Sequence, residues 1–270
     1  MIFDLHNDLL TAKTAREINA DAVHYADCNV KGVAFAVWTS ELKPDTHKFS
    51  ECIKQLPKLP YRSMIAVEDL GSLNITDYES FFCEFKPAYV SLTWNGKNKL
   101  AGGVGCEEGL SIRGKDALTK MAKFNVPVDL AHLSDTAFYE VAERADNKFL
   151  VTHTASRDIC GHSRNLTDEM AKIIAERGGI IGVAVVSDFL AEGCASRKDY
   201  LRHLLHFTEV VGARHVAIGT DFNGTIHYPI GLSGYEDFAI LAEDMKKSGF
   251  NDTETEYIFH KNAERFFGGI

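Results

Sequence analysis

The chain has 270 residues, 45% hydrophobic and 25% charged, with a formal net charge of −9. That is ordinary for a globular protein with a sizeable core, and the length suits one barrel. The acidic balance and the lack of a basic cluster argue against a nucleic-acid partner, and no run approaches the ~20 apolar residues of a membrane span. The cysteines at 28, 52, 83, 106, 160 and 194 form no C-x-x-C, which fits free thiols in a reducing cytoplasm. The opening MIFDLHND is too polar for a signal peptide.

In chain order, residues 2–5 form a short apolar strand that runs into His6-Asn7-Asp8. The two-residue period of a strand turns His6 and Asp8 the same way and Asn7 aside. A helix follows over 9 to about 18. The second strand is 32–38, too apolar for a wet face, and a helix over 45–56 is bounded by Pro44 and Pro57. The third strand, 63–67, ends in Glu68-Asp69, and Thr76 caps a helix to Phe85. The fourth, 88–92, ends in Thr93-Trp94-Asn95. The glycine-rich loop GKNKLAGGVG lacks the Lys-Ser/Thr ending and the strand–loop–helix setting of a phosphate site, so its glycines serve conformation. Ser111 caps a helix to Phe124.

Residues 126–165 are the most informative stretch. Two apolar runs, 126–130 and 149–151, are each followed by a histidine, His132 and His153. Between them a helix over 135–145, capped by Ser134, presents Phe138, Val141 and Ala142 on one face. Parallel strands joined in this way bring both imidazoles to one carboxyl edge, with Arg164 and Asn165 just beyond. Thr167 caps a helix with Met170, Ile173 and Ile174 inward, ended by Gly178-Gly179. A seventh strand spans 180–186, and a helix over 197–211 turns Leu201, Leu204, Leu205 and Val211 inward. The eighth strand, 215–219, ends in Thr220-Asp221-Phe222, and helices near 235–248 and 253–267 close the chain.

Eight buried-type strands alternating with helices predict an α/β fold, a (β/α)8 TIM barrel formed by residues 1–270 as a single domain. His6 and Asp8, Glu68, Trp94 and Asn95, His132, His153 and Asp221 all fall at strand carboxyl ends, which a closed barrel gathers at one mouth. Five of these are metal donors of a type that suits zinc: His6, Asp8, Glu68, His132 and His153. Three protein ligands serve one catalytic zinc, so five point to two ions. His6 and Asp8 would hold one, His132 and His153 the other, and Glu68 would bridge them around a shared hydroxide. Asp221 would handle the proton, and Arg164, 11 positions past His153, would grip a substrate carboxylate as a bidentate fork.

With these residues in view, the chain resembles the renal (membrane) dipeptidase family of zinc peptidases, in the amidohydrolase-like barrel group. The motifs are DLHND at 4–8, VED at 67–69, LTWN at 92–95, VDLAHLS at 128–134, THTASRDICGHSRNLTD at 152–168 and HVAIGTDFNG at 215–224. They occur in family order, and IFHKNAERFF is similar to the family's last helix. The resemblance implies a di-zinc centre with the division of ligands given above, Arg164 on the dipeptide carboxylate and Asp221 on the bridging water. It also implies a dipeptide substrate, often with a D-residue at the carboxyl side, and a homodimer.

There is one departure. Many family members have a histidine after the LT of the fourth strand, where this chain has Trp94. An indole donates one hydrogen bond but carries no positive charge. Losing a charged donor to an oxyanion costs roughly 100- to 1,000-fold in rate, unless zinc alone or Asn95, His162 or His227 takes its place. A cytoplasmic zinc dipeptidase is the leading expectation. The alternatives are a related metal hydrolase of an N-acyl amino acid or lactam, and a metal-containing barrel that only binds.

Overall fold

Strands that are apolar on both faces need cover on both sides, and this chain provides it by closing the sheet on itself. The computed structural model describes residues 1–42 and 46–268. The strands are β1 (Ile2–Asn7), β2 (Val30–Trp38), β3 (Arg62–Glu68), β4 (Val90–Ser91), β5 (Val128–Asp129), β6 (Phe149–Thr154), β7 (Ile181–Val183) and β8 (Val216–Ile218). All neighbours pair in parallel, and the barrel closes in sequence order where Asp4 of β1 meets Ile218 of β8. The expected (β/α)8 architecture is therefore present.

Alternation along the strands separates two buried layers. Phe3, Leu5, Ala34, Ala66, Tyr89, Leu150, Ile180 and Ala217 pack together with Phe266 of the last helix. Small residues set against large ones fill this narrow layer. Val33, Phe35, Val37, Val67, Val128, Val151, Ile181 and Ile218 belong to the other layer, against the helices.

Several boundaries differ from expectation. β4, β5, β7 and β8 are shorter, because regular register lasts only two or three residues while single ladder bonds such as Ala88 N–H to Ile65 O and Leu130 N–H to Leu150 O continue outside it. β1 and β6 are longer, so His6 and His153 lie inside their strands rather than after them. The single helix expected over 9–18 is two, Leu9–Ala12 and Ala15–Asp27, because Thr14 and Glu17 form a capping box that starts the second. Asp77, not Thr76, caps Tyr78–Phe85 by accepting from the Glu79 and Ser80 N–H groups. The helix expected over 45–56 is Thr46–Lys54, and Asp45 and Pro44 lie outside the described residues. A π turn, Tyr257–Lys261, interrupts the last helix. Ser111, Ser134 and Thr167 cap as expected. Among the described residues no helix is long and apolar enough to cross a membrane, and all six cysteines are free.

The inward face of Arg197–Val211 also differs. Leu205 and Val211 are only half-buried, while Tyr200, His203 and Phe207 join Leu201 and Leu204 in the core. Buried His203 ties two mouth segments together: its Nδ1 accepts from the Ser156 N–H after β6, and its Nε2–H donates to Leu190 O after β7. The first bond needs the neutral ring, and burial lowers its pKa to about 4. Below pH 6.5 the unfolded chain takes up this proton and the folded chain does not, so stability falls as pH drops from 6.5 to about 4. At ~1.4 kcal/mol per pKa unit the loss reaches about 3 kcal/mol. Urea unfolding across that range should show this slope in the wild type and lose it in His203→Gln; an equal slope in both would remove His203 as its cause.

Candidate metal centre

The donors expected at the mouth meet there. His6 and Asp8 come from the end of β1, Glu68 from β3, His132 from the turn after β5, His153 from β6 and Asp221 from the turn after β8. Each of the first five is buried, at no more than 6% exposure. His6 Nε2 lies 3.3 Å from Asp8 Oδ2, 3.8 Å from Glu68 Oε2 and 3.9 Å from Asp221 Oδ1. On the other side of Glu68, its Oε1 lies 2.9 Å from His132 Nε2 and 3.9 Å from His153 Nε2. The donors thus form two triads that share Glu68, one with His6 and Asp8 and one with His132 and His153. A third grouping joins His6, His153 and Asp221.

Backbone strain concentrates here. His132 (φ 68°) and Asp221 (φ 60°) are left-handed, as is Asp69 (φ 67°) beside Glu68. Such a conformation costs roughly 1–2 kcal/mol for a residue with a side chain, and it swings these groups into the mouth. At Gly224 an added Cβ would come within 2.4 Å of Asp221 Oδ1 and 2.5 Å of Asp8 Oδ2, so glycine leaves room for both carboxylates.

The hydrogen-bond network assigns the imidazole tautomers. Tyr89 donates its hydroxyl to Leu5 O and so accepts from His6 Nδ1–H at 3.0 Å. Thr152 donates to Asp129 Oδ2 and accepts from His153 Nδ1–H at 2.8 Å. Asn95 Oδ1 accepts from His132 Nδ1–H at 2.9 Å. The Nε2 atoms of His132 and His153 therefore present lone pairs to the shared space and face each other at 2.9 Å. Two lone pairs at that distance repel unless a cation lies against them. His6 Nε2 and Asp8 Oδ1 are also buried without a hydrogen-bond partner. This donor set fits divalent metal: neutral imidazoles with the outer nitrogen held, plus carboxylates.

Electrostatics point the same way. Burial, reinforced by Asp8, pushes the Glu68 carboxyl well above its ordinary pKa and raises Asp221 to about 8. Burial holds His132 and His153 well below the usual histidine range, with Arg164 and His6 adding to the effect. Burial acts against charge on His6 too, yet Asp8, Glu68 and Asp221 outweigh it and bring that ring to about 10. The protein alone thus answers its crowded carboxylates by keeping protons, and a bound cation inverts that preference.

The expected substrate residues are placed less uniformly. Trp94 lines a cavity of about 350 Å³ together with Asp8, Glu68, His132 and Asp221. The residue is 37% exposed, and its ring packs 4.9 Å from Trp38 and 6.0 Å from His132. Asn95 does not line the cavity; it orients His132. Arg164 is buried behind His153, where its Nη2 donates to His153 O and its guanidinium stacks on Phe189. It makes no salt bridge among the described residues, and its Nε has no partner. His162 packs on Phe189, His227 pairs with Asp188, and neither lines this cavity beside Trp94.

Sequence reasoning missed Tyr89, Thr152, Asp129, Asp4 and Trp38. Asp129 accepts from Thr152 and the Ala131 N–H, and Asp4 accepts from Thr220, Tyr235 and the His6 N–H, so each braces the strand that carries a donor. A carboxylate inside an apolar strand is a readable signal of this, since a buried acid needs partners. Nothing comparable marks Tyr89 or Thr152.

Comparison with known proteins places this geometry. An uncharacterised protein in the pqqA 5′ region of Klebsiella pneumoniae is 28% identical over 193 residues, spanning 66% of this chain and 70% of that protein. The dipeptidase aclJ of Aspergillus oryzae is 26% identical over 219 residues, 77% of this chain, which spans only 51% of that longer protein. Among solved structures, a metallopeptidase from Rhodobacter sphaeroides liganded with a phosphinate mimic of L-Ala-D-Ala superposes with a TM-score of 0.81. That match covers 98% of each chain at 18% identity, a likeness of fold. The model of the membrane dipeptidase family, peptidase family M19, matches residues 63–270, more than three quarters of the chain. The chain belongs to the membrane dipeptidase family.

Proposed function

We propose that this chain is a di-zinc dipeptidase, with residues 1–270 as its catalytic domain. The observation that carries the reading is the pair of donor triads sharing Glu68, with imidazole lone pairs aimed inward beside a buried arginine that makes no salt bridge among the described residues. His6 and Asp8 would hold one ion and His132 and His153 the other, with Glu68 available to both. When bound, two zinc ions supply Lewis acidity that activates water at neutral pH and polarises the scissile carbonyl. The residues do the rest. Tyr89, Asn95 and Thr152 fix the imidazoles, so the donors need no reorganisation. Asp221, on the cavity wall beside Asp8, takes the proton of the attacking water and passes it to the departing amine. Arg164 anchors the free carboxylate once its guanidinium turns from Phe189 toward the cavity.

The cavity sets the size of the substrate. At about 350 Å³, walled by Trp38 and Trp94, it fits a dipeptide of small residues, including one ending in D-Ala, the configuration carried by the mimic on the Rhodobacter protein. Trp94, with no charged donor beside it, also favours a second reading, hydrolysis of another small carboxylated amide by the same groups. A panel of dipeptides and N-acyl amino acids assayed with added zinc separates the two.

Elemental analysis tests the centre. Glu68→Ala should lose two bound ions relative to the wild type and His132→Ala only one; equal losses would remove the bridge. Arg164→Met should lower kcat/KM for a free dipeptide by roughly 2–5 kcal/mol of transition-state binding, and barely affect a dipeptide amide that is already poor. Equal losses on both would make Arg164 a support of the fold. Trp94→His should raise kcat and admit larger residues, and add a titration near pH 6.5 to the rate profile. Unchanged rate and specificity would show that position 94 does not reach the substrate.

A further inference from the structure

Away from the mouth, an open cleft of about 680 Å³ lies between the Ala15–Asp27 helix and the segment that follows β8. Three donors of different chemistry meet at it: the His24 imidazole, the Cys28 thiol and the Glu236 carboxylate, with one ligand atom of each within 4.8 Å of the others. His24 Nε2 lies 3.6 Å from Cys28 Sγ, because a spacing of four stacks the two side chains on one helical face. Glu236 arrives from a separate element, the Tyr235–Asp237 turn.

The two backbones that carry these donors are fixed independently of them. Tyr25, on the same helix as His24, packs edge-on against Tyr235 with ring centroids 4.7 Å apart. Tyr235 is itself anchored by donating its hydroxyl to Asp4 inside the barrel. The two backbones are therefore held close by packing, the His24 and Glu236 side chains being exposed and Cys28 half-buried, and Asp27 and Glu256 in the same cleft add negative charge. Nitrogen, sulfur and oxygen together select zinc over magnesium or calcium, and three protein ligands leave one position for water.

We propose that His24, Cys28 and Glu236 bind a zinc ion, separate from the centre at the mouth, that clips the helix after β1 to the segment after β8 and completes its coordination with water. Binding releases the thiol proton, and no redox change is involved. The clip spans the seam where the barrel closes. There β1 and β8 share one ladder position, Asp4 with Ile218, plus an isolated bridge between Asn7 and Phe222, whereas β2 and β3 pair over seven. That seam also separates His6 and Asp8 from Asp221, so a metal tie at its flank stabilises the geometry of the mouth from outside.

Cobalt(II) titration of the intact chain tests this, because thiolate ligation gives a near-ultraviolet charge-transfer band that imidazole and carboxylate ligands do not. The centre at the mouth contains no cysteine, so the band reports on the clip alone. The wild type should complete the band by three added equivalents, two for the mouth and one for the clip, and lose it to excess zinc. Cys28→Ser should abolish it, while His24→Ala and Glu236→Gln should weaken cobalt binding at this site at least ~10-fold, all with unchanged far-ultraviolet circular dichroism. Zinc should also raise Tm less in Cys28→Ser than in the wild type. No band in the wild type, or a band that survives Cys28→Ser, overturns the proposal.

Discussion

Three imidazoles and three carboxylates turned toward one another at the mouth of an apolar barrel need positive charge among them. The 2.9 Å approach of the His132 and His153 lone pairs makes the requirement concrete, and Glu68 sits between that pair and His6. Much of the surrounding structure follows from holding this arrangement. Tyr89 reaches across the barrel layer to fix the His6 ring of β1, Thr152 fixes the His153 ring beside it on β6, and Asp129 of β5 holds Thr152 in turn. The polar network is satisfied on its outer side and open on its inner side, which is how a protein prepares ligands rather than buries them.

The strained residues belong to the same design. A left-handed histidine at the end of β5 and a left-handed aspartate at the end of β8 each oppose the local preference of the chain. Rigid neighbours hold them there. His132 O accepts from the Val104 N–H, which locks the glycine-rich loop after β4 against the turn, and the Asp221 N–H donates to His6 O across the seam. The loop whose glycines the sequence assigns only a conformational role therefore has a fixed structural task. Its Asn98 also donates to Asp69, the left-handed residue beside Glu68.

Which donors converge was legible because each ends an apolar strand and a barrel gathers strand ends; this is why His6, Asp8, Glu68, His132, His153 and Asp221 could be named from the chain alone. Caps were legible where Ser or Thr precedes a periodic run, as at Ser111, Ser134 and Thr167. What stayed hidden depends on neighbours remote in sequence. Tyr89 partners His6 only once β1 and β4 face each other, and Arg164 is buried against Phe189 because a later segment folds over it. His203 hid inside an amphipathic pattern, where a polar residue on the apolar face was the signal to follow.

The placement of the indoles has a spectroscopic consequence. The chain contains only two tryptophans, Trp38 and Trp94, and they pack against each other in the wall of the mouth cavity. Trp94 also lies 6.0 Å from the His132 ring, so the electric field of any ion or ligand held there falls on it. Tryptophan emission from the whole molecule thus originates at one place. The protein carries a built-in optical reporter of its own mouth, with no tryptophan elsewhere to dilute the signal.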